Sequence, residues 1–138
     1  MKILIDTSTI IAAVRSPPGA SAEIVRRVLL DQLNMVCSVP LFLEYEAVLL
    51  RPEHMQVAGA AVRDITNLLD ALAAKLIPVE IQYLWRPQLR DAADDMVLEA
   101  AVNGQASCIV TFNLRDFLPH AHSFGIAVKT PGEFLKGL

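Results

Sequence analysis

Four separated stretches of this sequence carry carboxylates in settings that could do chemistry together. Asp6 ends the apolar run Lys2-Ile-Leu-Ile, and Glu44 and Glu46 sit in the apolar stretch after Pro40. Asp91, Asp94 and Asp95 form a cluster, and Asp116 follows the run Ser107 to Thr111 after a short turn. Each acid alone has an ordinary explanation. Asp6 in Asp-Thr-Ser-Thr can cap a helix, acids in a first helical turn suit the helix dipole, and Asp is a common turn residue. Gathered at one place they would repel one another unless a divalent cation neutralised them. Oxygen ligands with no Cys and no clear His set suit Mg²⁺ or Mn²⁺, not zinc. Such a cation polarises a phosphodiester and lowers the pKa of an attacking water.

The surrounding pattern supplies the elements that would bring these acids together. Lys2 to Asp6 reads as a short central strand, apolar throughout. Thr9 to Val14 is a short helix, Arg15 to Gly19 a break, and Ser21 the N-cap of a helix to about Leu33. Met35 to Ser38 is a second strand. A helix opens at Pro40 and ends near Arg51-Pro52, and a longer one covers Gln56 to Lys75. Leu76 to Ile81 is a strand that Pro78 marks as an edge or an end. An Ala-rich helix follows the Asp cluster and closes at Asn103-Gly104. Ser107 to Thr111 and Ile126 to Lys129 are the last strands, and Thr130-Pro-Gly-Glu133 is a capping box opening a terminal helix.

Short apolar strands alternating with helices mean βαβ units and a mostly parallel sheet covered on both faces. Ligands of such sheets bind beyond the carboxyl ends of the strands, which is where these acids fall. The helix from Pro40 to Arg51 is apolar around nearly its whole circumference. Glu44 and Arg51 share a narrow polar stripe about 20° wide, with Glu46 about 160° from Glu44. A carboxylate on a buried helix needs a partner or a metal, but spacing leaves open which of the two glutamates faces the sheet edge.

Composition narrows the classes. The chain has 138 residues, 54% hydrophobic and 20% charged, which fits one domain spanning 1–138 and excludes intrinsic disorder. Cys37 and Cys108 sit in apolar runs and are expected to be reduced core thiols. No apolar stretch is long enough to span a membrane. Asp6 interrupts the first apolar run and Lys2 is the only basic residue before it, so a signal peptide is not expected and the cytoplasm is the expected location. The net charge of −3 argues against a protein that coats nucleic acid.

Taken in order, four stretches covering essentially the whole chain resemble a PIN domain, the small ribonuclease fold of VapC-type toxins in toxin–antitoxin pairs. They are Ile3-Leu-Ile-Asp6-Thr-Ser, Ser38-Val-Pro-Leu-Phe-Leu-Glu44 through Arg51, Arg90-Asp91-Ala-Ala-Asp94-Asp95 through Ala101, and Ile109-Val-Thr111-Phe-Asn113-Leu-Arg-Asp116-Phe117. The resemblance implies a three-layer α/β/α domain and hydrolysis of RNA phosphodiesters with Mg²⁺ or Mn²⁺, leaving 5′-phosphate and 3′-hydroxyl ends. It implies Asp6 and Asp95 as principal metal ligands, Asp116 completing the acidic pocket, and Glu44, not Glu46, acting through water. Asp91 and Asp94 are secondary ligand candidates, and Thr111 and Asn113 would orient ligands or waters. Arg15, Arg86, Arg90 and Arg115 are candidates for holding the RNA backbone. A cognate antitoxin and a homodimer are the implied partners. Many PIN domains carry an Asp where this chain has Asn113, which favours a single occupied metal site, with Asp116 taking that corner.

Two other readings compete. An Asp-nucleophile phosphatase or phosphotransferase also starts from an Asp after the first strand, but position 8 is Ser where such enzymes usually carry a second Asp. A non-catalytic scaffold of the same fold is the other. His120 and His122 lack a third ligand and read as a solvent-facing loop, and Trp85 reads as packing against a loop. With Asp6, Glu44, Asp91, Asp94, Asp95 and Asp116 assigned to one pocket, nine acids remain against twelve basic residues, so the rest of the chain carries +3.

Overall fold

The computed structural model describes residues 1–82 and 92–138. Its elements run β1 (Lys2–Ile5), α1 (Thr7–Arg15), α2 (Ala20–Leu29), β2 (Asn34–Ser38), α3 (Val39–Leu49), α4 (Pro52–Ala58), α5 (Val62–Ala73), β3 (Ile77–Val79), α6 (Ala92–Asn103), β4 (Cys108–Val110), α7 (Leu114–Phe117), α8 (His120–Ser123), β5 (Ala127–Lys129) and α9 (Pro131–Lys136). The five strands form one sheet in the order β3-β2-β1-β4-β5, parallel at every pairing, with helices on its faces. The expected α/β/α fold is present, and its sheet is wholly parallel.

β1 lies at the centre because Ile3, Leu4 and Ile5 have no polar face to show water, and all three are completely buried. Ile3 pairs with Met35 on one side, and Ile3, Leu4 and Ile5 pair with Cys108, Ile109 and Val110 on the other. The chain builds outward from β1 through β2 to β3, then returns to add β4 and β5 on the opposite side. The order therefore reverses between β1 and β4, and the reversal opens a crevice above their carboxyl ends. Pro78 in β3 sits at the sheet edge, where its missing N–H costs no ladder bond.

Several boundaries differ from the sequence expectation. α1 starts two residues early because Asp6 caps it, and α2 starts from Gly19, which leaves Ser21 buried inside the helix. The single helix expected over Gln56 to Lys75 is two helices, α4 and α5. Gly59, at φ +65°, ends the first in a left-handed turn that glycine adopts without strain. His120 and His122 lie in the short helix α8, not in a loop. Gly104 does follow α6, but its φ is unremarkable. Its lack of a side chain is needed for space, since a Cβ there would come within 2.8 Å of Val79 Cγ2 and of the Ala100 carbonyl.

Both cysteines are free and buried. No helix among the described residues is long and apolar enough to cross a membrane.

Candidate active site

Asp6 is fixed from every direction at the head of β1. Its backbone N–H donates to the Val110 carbonyl at 3.0 Å, which ties the residue to β4. Oδ1 accepts from the Thr7 N–H at 2.8 Å, the N-cap bond of α1. Oδ2 accepts from the hydroxyls of Thr111 (2.7 Å) and Ser8 (3.0 Å). The residue is only 6% exposed. A buried carboxylate with three donors stays in one orientation, and its unused lone pairs remain available to a cation. Capping and presentation of a ligand oxygen are thus compatible roles for the same side chain.

The two hydroxyls are oriented in turn. The Asn113 N–H donates to Thr111 Oγ1 at 2.9 Å, and the Phe112 N–H to Ser8 Oγ at 3.3 Å. Each hydroxyl accepts from the turn after β4 and passes its own proton toward Asp6. Thr9 adds a further tie, its hydroxyl donating to the Val110 carbonyl at 3.1 Å.

α3 brings Glu44 to this corner. Ser38 caps it, accepting from the Leu41 N–H at 3.3 Å, with Pro40 in its first turn. Tyr45, fully buried, donates its hydroxyl to the Ile5 carbonyl, so the helix is pinned to the residue before Asp6. Burial holds the Tyr45 hydroxyl well above its ordinary pKa, which keeps it a donor, and burial likewise pushes the Cys37 thiol up to about 12. With Tyr45 turned into the core, Glu44 is half-buried on a cleft wall, and Glu46 is exposed to solvent.

That cleft has a volume of about 280 Å³. Asp6, Glu44 and Asp94 supply its carboxylates, Thr7, Ser8 and Asn113 its neutral polar groups, and Ile11, Val48, Ala93 and Val97 its apolar lining. Arg51 and His54 complete the wall. Asp94 comes from the first turn of α6, a helix that packs on β1, β2 and α3. Asp95 is only 4% exposed and does not line the cleft, because adjacent helical residues point about 100° apart. Asp116 is exposed on α7 and borders an adjoining depression of about 440 Å³ with Phe112, Leu114 and Arg115. Asn113 lines both spaces.

The structure thus brings Asp6, Glu44, Asp94 and Asn113 to one cleft, with Thr111 bonded behind Asp6. It sets Asp95 in the protein interior and Asp116 beside the cleft. Arg15 is exposed and contacts His54. Asp91, Arg86 and Arg90, as well as Trp85, lie outside the described residues.

Sequence reasoning did not single out Ser8, Tyr45 or His54. The Asp-x-Ser spacing was a usable signal for Ser8, since a hydroxyl two residues past an Asp reaches its carboxylate. No pattern in the chain marks the other two. Glu99, one turn beyond Asp95 and 3% exposed, also escaped notice.

Among the described residues, no three His, Cys, Asp or Glu side chains form a ready metal cage. Mg²⁺ does not need one, being held through one or two carboxylates while keeping several waters. An anchored Asp6 sharing an open cleft with Asp94 and Glu44 is a donor set of that kind.

Comparison with known proteins agrees with this architecture. The sequence profile described as PIN domain matches residues 2–115. No curated protein sequence matches the chain. Among solved structures, the chain is similar to one in the crystal structure of VapBC2 from Rickettsia felis bound to a DNA fragment from their promoter. There the identity is 13% and the TM-score 0.64, over 94% of this chain and 98% of that one. It is also similar to a chain of FitAcB from Neisseria gonorrhoeae, at 20% identity and TM-score 0.52 with the same coverage.

Proposed function

Because this chain belongs to the PIN domain family, a family of nucleases, we propose that it is a divalent-metal-dependent endoribonuclease and the toxin of a toxin–antitoxin pair. The observation that carries this reading is Asp6, anchored by three donors at the sheet's reversal point and lining one cleft with Glu44 and Asp94. Asp6 and Asp94 would hold Mg²⁺ or Mn²⁺, with Asp95 behind them on α6 as the alternative ligand. When bound, the cation supplies the positive charge that offsets charge developing on the phosphate, and it makes water a better nucleophile.

The chain's own groups do the rest. Ser8 and Thr111 hold Asp6 in a single orientation, so little rearrangement is needed at the moment of reaction. Glu44 makes no hydrogen bond or ion pair with the described residues and stands half-buried on the cleft wall, positioned to accept a proton from an attacking water. Asn113 presents a neutral amide where an Asp would add a ligand charge, which supports one occupied metal site. Both oxygens of Asp6 already accept protein hydrogen bonds, which disfavours that residue as a phosphatase nucleophile. An antitoxin partner is proposed from the resemblance to VapC-type toxins, and the similarity to a chain of VapBC2 from Rickettsia felis bound to promoter DNA supports it.

The test is cleavage of single-stranded RNA in Mg²⁺ and in Mn²⁺ by the wild type and by Asp6→Asn, Asp94→Asn and Asp95→Asn. Activity should require metal and collapse in Asp6→Asn. Comparing the other two variants assigns the α6 ligand. Metal-dependent cleavage that survives all three substitutions would show that the site lies elsewhere.

A further inference from the structure

The cleft also carries two basic side chains that the acidic chemistry leaves unused. α3 ends at Leu49, the chain turns at Leu50 and Arg51, and α4 begins at Pro52. This turn places Arg51 and His54 on the same cleft as Asp6, Glu44 and Asp94. Arg51 forms no ion pair or side-chain hydrogen bond with any described residue, although it shares the cleft with three carboxylates. A guanidinium that merely balanced the acids would be paired with one of them, since a bidentate fork to a carboxylate is its strongest contact.

His54 is held from behind. Arg15 at the end of α1 approaches its Nδ1 to 2.6 Å. A guanidinium has donors only, so Nδ1 accepts and the ring's N–H sits at Nε2. The ring is thereby fixed as a donor by a residue 39 positions away in the chain. Arg51 and His54 together offer only donors, and the carboxylates that share the cleft offer only acceptors. A phosphodiester calls for both, with donors for its non-bridging oxygens and carboxylates, through a cation, for its reacting side.

We propose that Arg51 and His54, with Arg15 as the positioning residue for His54, form the phosphate-gripping wall of the cleft and hold the RNA strand by a backbone phosphate as it crosses the acids. The inference rests on the nuclease reading for the identity of the strand. It gives the grip to the turn between α3 and α4 and to the end of α1. Arg115, beside the adjoining depression, takes no part in it.

Two measurements on the full-length protein test it. The first is kcat and KM for cleavage of a single-stranded RNA oligonucleotide in Mn²⁺. The second is the Kd of a non-cleavable strand with 2′-O-methyl ribose and phosphorothioate linkages, measured across salt concentrations. Arg51→Ala should raise KM and Kd about tenfold with a smaller change in kcat, and should flatten the salt dependence by about 0.7 in slope, the loss of one phosphate contact. Arg51→Lys should recover part of the affinity. His54→Ala should weaken binding severalfold. Arg15→Ala should reproduce the His54→Ala effect and add nothing to it in the double variant, as expected for a residue acting through the ring. Asp6→Asn should abolish cleavage and leave strand binding intact.

If Asp6→Asn is inactive while Arg51→Ala and His54→Ala bind and cleave like the wild type, the phosphate wall is refuted and the nuclease reading stands. If the wild type never cleaves RNA but binds the strand in an Arg51-dependent way, the nuclease reading fails and the wall survives. Thermal unfolding of each variant separates loss of grip from loss of fold.

Discussion

Two carboxylates near the same sheet edge are held in opposite ways. Asp6 is nearly inaccessible, ties two strands together and accepts three hydrogen bonds within the protein. Asp116, on the four-residue α7, is exposed and makes no side-chain bond with any described residue. The two are equally plain as letters in the sequence. What separates them is the environment each strand end provides. A central strand delivers its last residue into a crevice walled by neighbours, whereas the turn after β4 carries Asp116 past that crevice toward solvent. A rigidly held oxygen keeps its geometry when a ligand arrives, and an exposed one must first be ordered.

This contrast yields predictions of decreasing size. Asp6→Asn keeps the shape and removes the charge, and should lower metal-dependent RNA cleavage on the order of 100-fold or more. The change is read in kcat. It would erase the contrast if Asp116→Asn cost as much.

Thr111→Val keeps the volume but deletes the 2.7 Å donor to Asp6 and the acceptor for the Asn113 N–H. It should cost about 1–3 kcal/mol of stability by denaturant unfolding, and should weaken metal affinity or activity about 10–100-fold.

The interior behind Asp6 predicts a pH effect. The folded Cys37 thiol titrates near 12 because it is buried, against 9.0 for an ordinary thiol. The native state therefore keeps a proton that the unfolded chain gives up above pH 9. Stability from this source is complete below pH 9 and is lost as pH climbs toward 12, at roughly 1.4 kcal/mol per pH unit. Cys37→Ala should flatten that decline in urea midpoints taken between pH 8 and 11.

Asp116→Asn should have the smallest effect, less than about threefold in activity and within about 0.5 kcal/mol in stability. Asn113→Asp sharpens the point, since a charge added on the cleft itself should tighten metal binding by calorimetry where Asp116 does not.

Much of the fold was legible because the strands announce themselves. Ile3 to Ile5, Met35 to Cys37 and Cys108 to Val110 are unbroken apolar runs, and only a covered parallel sheet accommodates several of these. The break at Gly59 was harder to see, because apolar residues at helical spacing resume beyond it and mask the left-handed turn.

The acids could be listed from the sequence but not aimed. Asp94 and Asp95 sit at the start of a helix whose alanines fall on every side, so no apolar stripe sets its phase. Only packing of α6 against β1 and α3 turns Asp94 to the cleft and Asp95 inward. The spacing argument did pair Glu44 with Arg51, and both line the cleft. It succeeded although Arg51 lies past the end of α3. His54 gave no signal at all, because its partner Arg15 is joined to it only by the tertiary fold.

The bond from Thr111 to Asp6 spans 105 residues of sequence. The chain therefore leaves the ribosome with its first acid made early and the hydroxyl that holds it made late. Until β4 has emerged and paired beside β1, Asp6 lacks both Thr111 and the turn that orients Ser8. A growing chain of a hundred residues already contains Glu44, Asp94 and Asp95, yet it lacks the Thr111 hydroxyl that fixes Asp6. The order of synthesis thus leaves this corner of the cleft unassembled until the segment around Thr111 is in place.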